Sequence, residues 1–211
     1  MLKKGLFITF EGPDGSGKTT VSSKVYEKLQ AKGYDVIYTR EPGGSDIAEQ
    51  IRGIILDSKN TAMDAKTEAL LYAASRRQHL VEKVIPALNA HKIVICDRFV
   101  DSSLVYQGIA RNIGIEPVFA INKFAIAEYM PDLTIYLNIS ASKGLERIIN
   151  RQNKDRLDQE TLSFHQAVES GYQKIIEMFK DRYHLVDADR DITLIVNDAY
   201  DIIKELVDKY V

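Results

Sequence analysis

The residues of this chain best suited to phosphate chemistry lie in one run, Gly12-Pro13-Asp14-Gly15-Ser16-Gly17-Lys18-Thr19. The run has the form G-x-x-x-x-G-K-[ST]. Gly12, Gly15 and Gly17 let the backbone turn tightly and bring its N–H groups close to an anion. Lys18 supplies a mobile cation for the β- and γ-phosphates of a nucleoside triphosphate, and the Thr19 hydroxyl suits Mg²⁺. Upstream, residues 5–10 form a short apolar run of strand type. Downstream, residues 20–32 read as a helix, whose positive N-terminus points at the same spot. A strand, this loop and a helix in that order make the phosphate-binding corner of an α/β sheet. The loop alone indicates binding of ATP or GTP and leaves the reaction open.

The elements that must position this loop alternate along the chain. Residues 34–39, 92–96, 133–139 and 184–186 read as further strands. Helical patterns fall at about 45–57, 64–90, 101–110, 116–129, 141–150, 160–182 and 191–209. Such alternation implies βαβ units and a parallel sheet, and the near-continuous apolar strands fit burial on both faces. The 211 residues suffice for one well-filled domain, and 45% apolar with 27% charged residues is ordinary for a globular chain. No repeat, linker or low-complexity segment interrupts it. A formal charge of −2 argues against general nucleic-acid binding. The single cysteine, Cys96, allows no intramolecular disulfide, which is compatible with the cytosol. No apolar run reaches the length of a membrane span. Residues 1–10 carry Lys3, Lys4 and a short apolar stretch, but Glu11 and the phosphate loop follow at once, so the stretch reads as the first core strand.

Ligands of a parallel α/β sheet bind beyond the carboxyl ends of the strands. The segments that follow strands are therefore the candidates: Asp14 and the loop, then Arg40-Glu41-Pro42-Gly43-Gly44, then Asp97-Arg98-Phe99. Asp97 stands where such a sheet holds Mg²⁺ directly or through water, and the planar fork of Arg98 suits phosphate oxygens. In the 64–90 pattern, Leu70, Ala74, Val81, Ile85 and Leu88 trace an apolar stripe. Arg77 falls on that stripe and Arg76 lies a third of a turn away. One of the two is expected to face a ligand or a buried carboxylate; for Arg77 an ordinary helix salt bridge is an equal reading. Arg147, Arg151, Lys154 and Arg156 surround the polar segment 150–158, expected to be a mobile loop between two helices. They form either a solvated surface or a set that closes over a transferring phosphoryl group. Cys96 reads as core packing. His79, His91, His165 and His184 lack metal-ligand spacing and read as surface or structural residues. Phe164, Val168, Tyr172, Ile175 and Phe179 read as a core-facing helix stripe.

Taken together, the phosphate loop from Phe10 to Thr20, Thr39-Arg40-Glu41-Pro42-Gly43-Gly44, Asp97-Arg98-Phe99 with Ser102-Ser103 and Tyr106-Gln107-Gly108, and Asp155-Arg156-Leu157-Asp158 resemble the thymidylate kinases over nearly the whole chain. The resemblance implies transfer of the γ-phosphoryl group of ATP to dTMP with Mg²⁺. It also implies a nucleoside monophosphate kinase-like five-stranded parallel sheet, a lid at about 147–158 within a single domain 1–211, and a homodimer. Residue by residue, it implies that Arg76 contacts the thymine and Tyr72, one turn earlier, stacks on it. Ser103 and Gln107 would hydrogen-bond the base, and Tyr106 would lie beneath the deoxyribose. Asp14 would meet the 3′-hydroxyl, Glu41 and Arg52 would lie at the acceptor phosphate and metal region, and Arg98 would bridge donor and acceptor phosphates. Two departures stand out. Tyr72 replaces the usual Phe, and Phe99 stands where Tyr or His is common. The variable loop positions Pro13, Asp14, Gly15 and Ser16 contain no arginine. That is similar to the bacterial-like type, whose catalytic cations sit in the lid, here Arg147, Arg151 and Arg156.

The implied mechanism is in-line transfer, with Lys18, Arg98 and Arg151 stabilising the moving phosphoryl group and Thr19 and Asp97 organising Mg²⁺. Two rivals remain at this level. One is a kinase for another nucleoside or nucleoside monophosphate, which the base-contacting set disfavours. The other is a GTP-dependent switch, which would carry N-K-x-D. The nearest match here, Asn122-Lys123-Phe124-Ala125, lacks the Asp and lies within a helical pattern. A cytoplasmic enzyme that binds neither nucleic acid nor membrane is the expectation.

Overall fold

The computed structural model describes residues 2–149, 156–157 and 159–210. Five strands, β1 (Leu6–Glu11), β2 (Val36–Arg40), β3 (Ile93–Asp97), β4 (Leu133–Asn138) and β5 (Tyr183–Asp187), form one sheet in the order β2-β3-β1-β4-β5, with every pairing parallel. The inner strands β1 and β3 are buried at every position, as their unbroken apolar character predicts, whereas the edge strand β5 exposes three of its five residues. Each expected strand is present, displaced by at most two residues at an end.

Helices cover both faces. They are α1 (Lys18–Ala31), α2 (Asp46–Leu56), α3 (Ala65–His79), α4 (Ile85–Asn89), α5 (Val100–Ser103), α6 (Ile115–Ile126), α7 (Ala141–Ile149), α8 (Leu162–Met178) and α9 (Ile192–Asp208). On one face, α1 and α9 pack Val21, Val25, Leu29, Ile195, Ala199 and Ile203 against Leu6, Ile8, Ile93 and Ile135 of the sheet. On the other, Phe7, Val94 and Cys96 meet Leu80, Val84 and Phe99.

Two expected α-helices contain wider π-helical segments. The 64–90 pattern is α3, a π segment at Leu80–Val84, and α4. The 101–110 pattern is the short α5 followed by a π segment at Leu104–Ala110, which carries Tyr106 and Gln107. Such segments concentrate at functional sites, and side-chain periodicity over ten residues does not distinguish them from α-helix. The end of the 160–182 pattern is likewise a separate 3₁₀ turn, Lys180–Arg182.

The stripe of α3 and α4 is corrected. Leu70 and Val81 are exposed at 55% and 37%, and Ala74 and Arg77 are exposed as well. The face turned inward is instead Glu68, Ala69, Tyr72, Ala73, Ser75, Arg76 and His79. Periodicity identifies an apolar face but not what covers it. Here the polar face is buried because its charges find partners.

Candidate active site

The parallel register sets the carboxyl ends of three strands side by side. Phe10 and Arg40 are both opposite Asp97, so β1, β2 and β3 deliver Glu11, Glu41 and Asp97 to one edge. The phosphate loop follows β1. Gly17 adopts φ 86°, a left-handed conformation that glycine takes without strain, and from it α1 begins at Lys18. The buried Lys18 Nζ donates to the carbonyls of Gly12 and Pro13 at 2.8 Å each and to Ser16 Oγ at 3.3 Å. Burial, and then the charge of Arg98, hold its ammonium well below the usual lysine range. An incoming phosphate would reverse that bias.

Arg98 occupies the centre. One guanidinium nitrogen, NH1, donates to Gly12 O at 3.2 Å, Ser102 Oγ at 2.9 Å and Tyr172 OH at 3.4 Å. The other, NH2, donates to Asp14 and, at 3.2 Å, to Tyr106 OH. Tyr106 OH in turn donates to Asp14 Oδ2 at 2.8 Å. Burial pushes the Asp14 carboxyl up, but Arg98, Lys18 and the Tyr106 hydroxyl outweigh it and bring it to about 2. Asp14 is therefore an anion at any working pH. Beneath Arg98 lies Glu11, fully buried, accepting from Phe99 N at 2.7 Å, Ser102 Oγ at 2.6 Å and Tyr172 OH at 2.8 Å. Burial and then Asp101 push its carboxyl upward.

Thr19 Oγ1 donates to Asp97 Oδ2 at 2.5 Å, while the buried Asp97 Oδ1 has no hydrogen-bond partner among the described residues. A hydroxyl and an unsatisfied carboxylate oxygen beside a phosphate loop fit an Mg²⁺ ion held by Thr19 and, through water, by Asp97. No cluster of three His, Cys, Asp or Glu side chains able to hold a metal occurs among the described residues. Glu41, expected at the acceptor phosphate and metal region, lines the cleft and is held by two partners. Its Oε2 accepts from Arg76 Nε at 2.7 Å and its Oε1 lies 2.9 Å from His79 Nδ1, so both oxygens are engaged. His79 Nε2 lies 2.7 Å from Thr39 Oγ1, so the imidazole bridges Thr39 and Glu41.

The cleft beside this centre is lined by Asp14, Gly15, Gly17, Lys18, Thr19, Glu41, Arg52, Tyr72, Asp97, Arg98, Ser102, Tyr106 and Gln107, with Leu56 and Leu157 at its wall. Most of the expected residues thus converge. Arg76 and Ser103 do not line it. Arg76 is 1% exposed and donates to Glu41, to Ser103 Oγ at 3.1 Å, to Asn122 and to Phe99 O at 3.1 Å. Of the two arginines it is the one that meets a buried carboxylate. Arg77, exposed, donates to the Ala125 carbonyl at 3.3 Å. Asn122, the first residue of the partial guanine-binding motif, is buried within α6 and serves Arg76.

Two of the expected lid cations have partners among the described residues. Arg147 donates to Gly15 O of the phosphate loop at 3.2 Å and to Ala188 O at 3.3 Å. Arg156 pairs with Glu68 and donates to Ile55 O at 3.0 Å. Arg151 and most of the expected 150–158 loop lie outside the described residues. Cys96 is buried as expected. Its thiol, pushed up by burial and then by Glu41, donates to Arg98 O at 3.1 Å.

Three contributors escaped the sequence reading. Glu11 had a signal, an acid closing an apolar strand. Tyr172 was assigned to the core, and it is buried there, yet its hydroxyl reaches Glu11 and Ser102. Gly144 lies within α7, and a Cβ there would stand 2.5 Å from Asp14 O, so the helix packs backbone to backbone on the phosphate loop.

A phosphate loop that shares one polar cleft with a facing wall, joined at a half-buried arginine, fits a phosphotransferase of the P-loop class. The comparisons agree and narrow it. The thymidylate kinase family model matches residues 10–199. A thymidylate kinase of Bacillus velezensis is 57% identical over 207 residues, covering 97% of this chain and 98% of the relative. One of a Geobacillus species is 58% identical over 191 residues, covering 90% and 91%. Among solved structures, the thymidylate kinase from Ehrlichia chaffeensis matches with a TM-score of 0.79 at 30% identity, covering 94% of this chain and 98% of that one. The chain belongs to the thymidylate kinase family.

The α7 contact gives a prediction. Gly144→Ala should displace the loop and raise the KM for ATP about tenfold or more, with a smaller effect on the KM of the acceptor. Steady-state kinetics in both substrates check this, and an unchanged KM for ATP contradicts the packing argument.

Proposed function

We propose that the cleft takes ATP on its phosphate-loop side and dTMP on the side of Tyr72, Tyr106 and Gln107, with Arg98 between the donor and acceptor phosphates. As a member of its family the chain is a kinase that phosphorylates dTMP to dTDP with ATP as donor, a step toward dTTP. The observation that supports this assignment of subsites is the position of Arg98, which touches Gly12 of the phosphate loop and Tyr106 of the facing wall with the same guanidinium.

Transfer is in line, and positioning and charge neutralisation provide most of the rate. The phosphate-loop N–H groups and Lys18 hold the β- and γ-phosphates. Mg²⁺, held by Thr19 and by Asp97 through water, neutralises charge on those oxygens when bound. The acceptor phosphate is already an anion and needs no strong base. Arg52, at the cleft wall, suits that phosphate, and Tyr72 suits the face of the base. Asp14 suits the 3′-hydroxyl and Tyr106 the deoxyribose. Arg76 and Ser103 form the layer behind the wall. Their proposed role is to hold the wall rather than to carry the ring. With Arg147 and Arg156 both partnered among the described residues, Arg151 is proposed as the lid cation that meets the transferring group.

A homodimer is proposed from the apolar residues left exposed on three helices that pack side by side. Ile47 and Ile54 of α2, Leu70 of α3 and Phe124 of α6 are exposed at 49%, 50%, 55% and 90%. Large apolar side chains left exposed on neighbouring helices fit an association surface. Among the described residues no helix is long and apolar enough to cross a membrane, and the proposed place of action is the cytoplasm.

Three outcomes are expected. In a coupled assay across dTMP, dUMP, dCMP and thymidine, dTMP should be the preferred acceptor; preference for another would overturn the assignment. Arg151→Ala should lower kcat by about a thousandfold while changing dTMP affinity little, and unchanged turnover would remove Arg151 from the mechanism. Sedimentation should show a dimer that Leu70→Glu with Phe124→Glu converts to folded monomers; a monomeric parent protein contradicts the proposed interface.

A further inference from the structure

The base-facing wall contains a carboxylate that never touches the cleft. Glu68, in the first turn of α3, is 1% exposed. Its Oε1 accepts from Gln107 Nε2 at 2.8 Å and from Arg111 Nε at 3.4 Å. Its Oε2 accepts from Arg111 NH2 at 3.4 Å and from Arg156. The two guanidiniums keep this buried charge paired. Gln107 itself lines the cleft, on the π-helical segment that also carries Tyr106.

We infer that Glu68 is a positioning residue for base selection, fixing which end of the Gln107 amide faces the acceptor. The inference rests on the reading that the base lies beside Gln107. A side-chain amide has nearly the same shape in either orientation, but one end donates and the other accepts. A carboxylate only accepts, so the Gln107 NH₂ must turn to Glu68. Its Oε1 accepts no hydrogen bond among the described residues and is the end left for the cleft. An acceptor there suits the N3–H of a 2,4-dioxopyrimidine. It meets a lone pair at N3 of a 4-aminopyrimidine, leaving two acceptors opposed. Base choice is thus set one layer behind the residue that reads the base.

The substitution Glu68→Gln keeps the shape and reverses this logic. Arg156 and one Arg111 nitrogen hold an oxygen at the outer position, against the single long contact of Arg111 Nε at the inner one, so the new NH₂ faces Gln107. Gln107 must then offer its carbonyl to residue 68 and turn its own NH₂ to the cleft. The test measures kcat/KM for dTMP and the inhibition constant of 5-methyl-dCMP, which differs from dTMP only at C4 and N3. For Glu68→Gln, the preference for dTMP over 5-methyl-dCMP should fall at least about tenfold, the size of one hydrogen bond changed from made to opposed. Glu68→Asp, which keeps the acceptor, should hold the preference near the parent value even with lower overall activity. An unchanged preference in Glu68→Gln, or an equal loss in both variants, overturns the inference. Gln107→Leu tests the reading beneath it: an unchanged KM for dTMP would mean that the base does not lie beside Gln107. If Glu68→Gln fails to fold, the unsubstituted protein decides. The Gln107 side-chain NH₂ signals, followed by NMR, should exchange slowly with and without dTMP, and fast exchange in the free enzyme overturns the inference.

Discussion

A guanidinium removed from water must find acceptors, and most of the site follows from how Arg98 finds them. Its backbone N–H is bonded to Phe10 O at 3.0 Å, which ties it to the central strand, and its φ of 70° turns the chain sharply at the end of β3. The side chain then meets the phosphate loop, Asp14, Ser102, Tyr106 and Tyr172. Glu11, directly beneath, shares Ser102 and Tyr172 with it and supplies part of the opposing charge. One half-buried cation therefore links the donor loop, the wall of the acceptor cleft and α8. A site arranged in advance around such a charge does not have to reorganise when phosphates arrive, and that is the main source of rate in phosphoryl transfer.

A second cation repeats the pattern further out. Arg76 links β2 through Glu41, α6 through Asn122, and the turn after β3 through the Phe99 carbonyl. His79 completes it by pinning the other oxygen of Glu41. These bonds explain why α3 turns its polar face inward and leaves Leu70 to solvent. Glu68, on the same helix, adds the third paired charge. Together the three tie the strand ends to the helices that form the cleft, so that the wall is rigid where the ring and phosphates lie.

Much of this was legible in the residues. The phosphate loop, the strand–helix alternation and the rule that sites lie beyond strand ends pointed to Lys18, Thr19, Asp97 and Arg98, which line one cleft. The family resemblance then supplied Tyr72, Tyr106 and Gln107. What the chain did not reveal was partnership. Arg156 looked like a free lid cation because nothing in its neighbourhood of sequence names Glu68, 88 positions away. The stripe of Leu70 and Val81 looked like core because periodicity is silent about covering. Gly144 carried no signal beyond a glycine inside a helix, and Tyr172 was concealed by the apolar stripe it belongs to. The π segments were invisible because a ten-residue window does not separate 3.6 residues per turn from a slightly wider helix.

The central claim is that the fork geometry of Arg98, and not just its charge, joins donor and acceptor. The most direct measurement is turnover of Arg98→Lys with dTMP and ATP, alongside its far-ultraviolet circular dichroism. Lysine keeps the charge but cannot hold the loop, Asp14 and Tyr106 in one plane. The account predicts native secondary structure with kcat reduced about a hundredfold or more. Turnover close to that of the parent protein would contradict it.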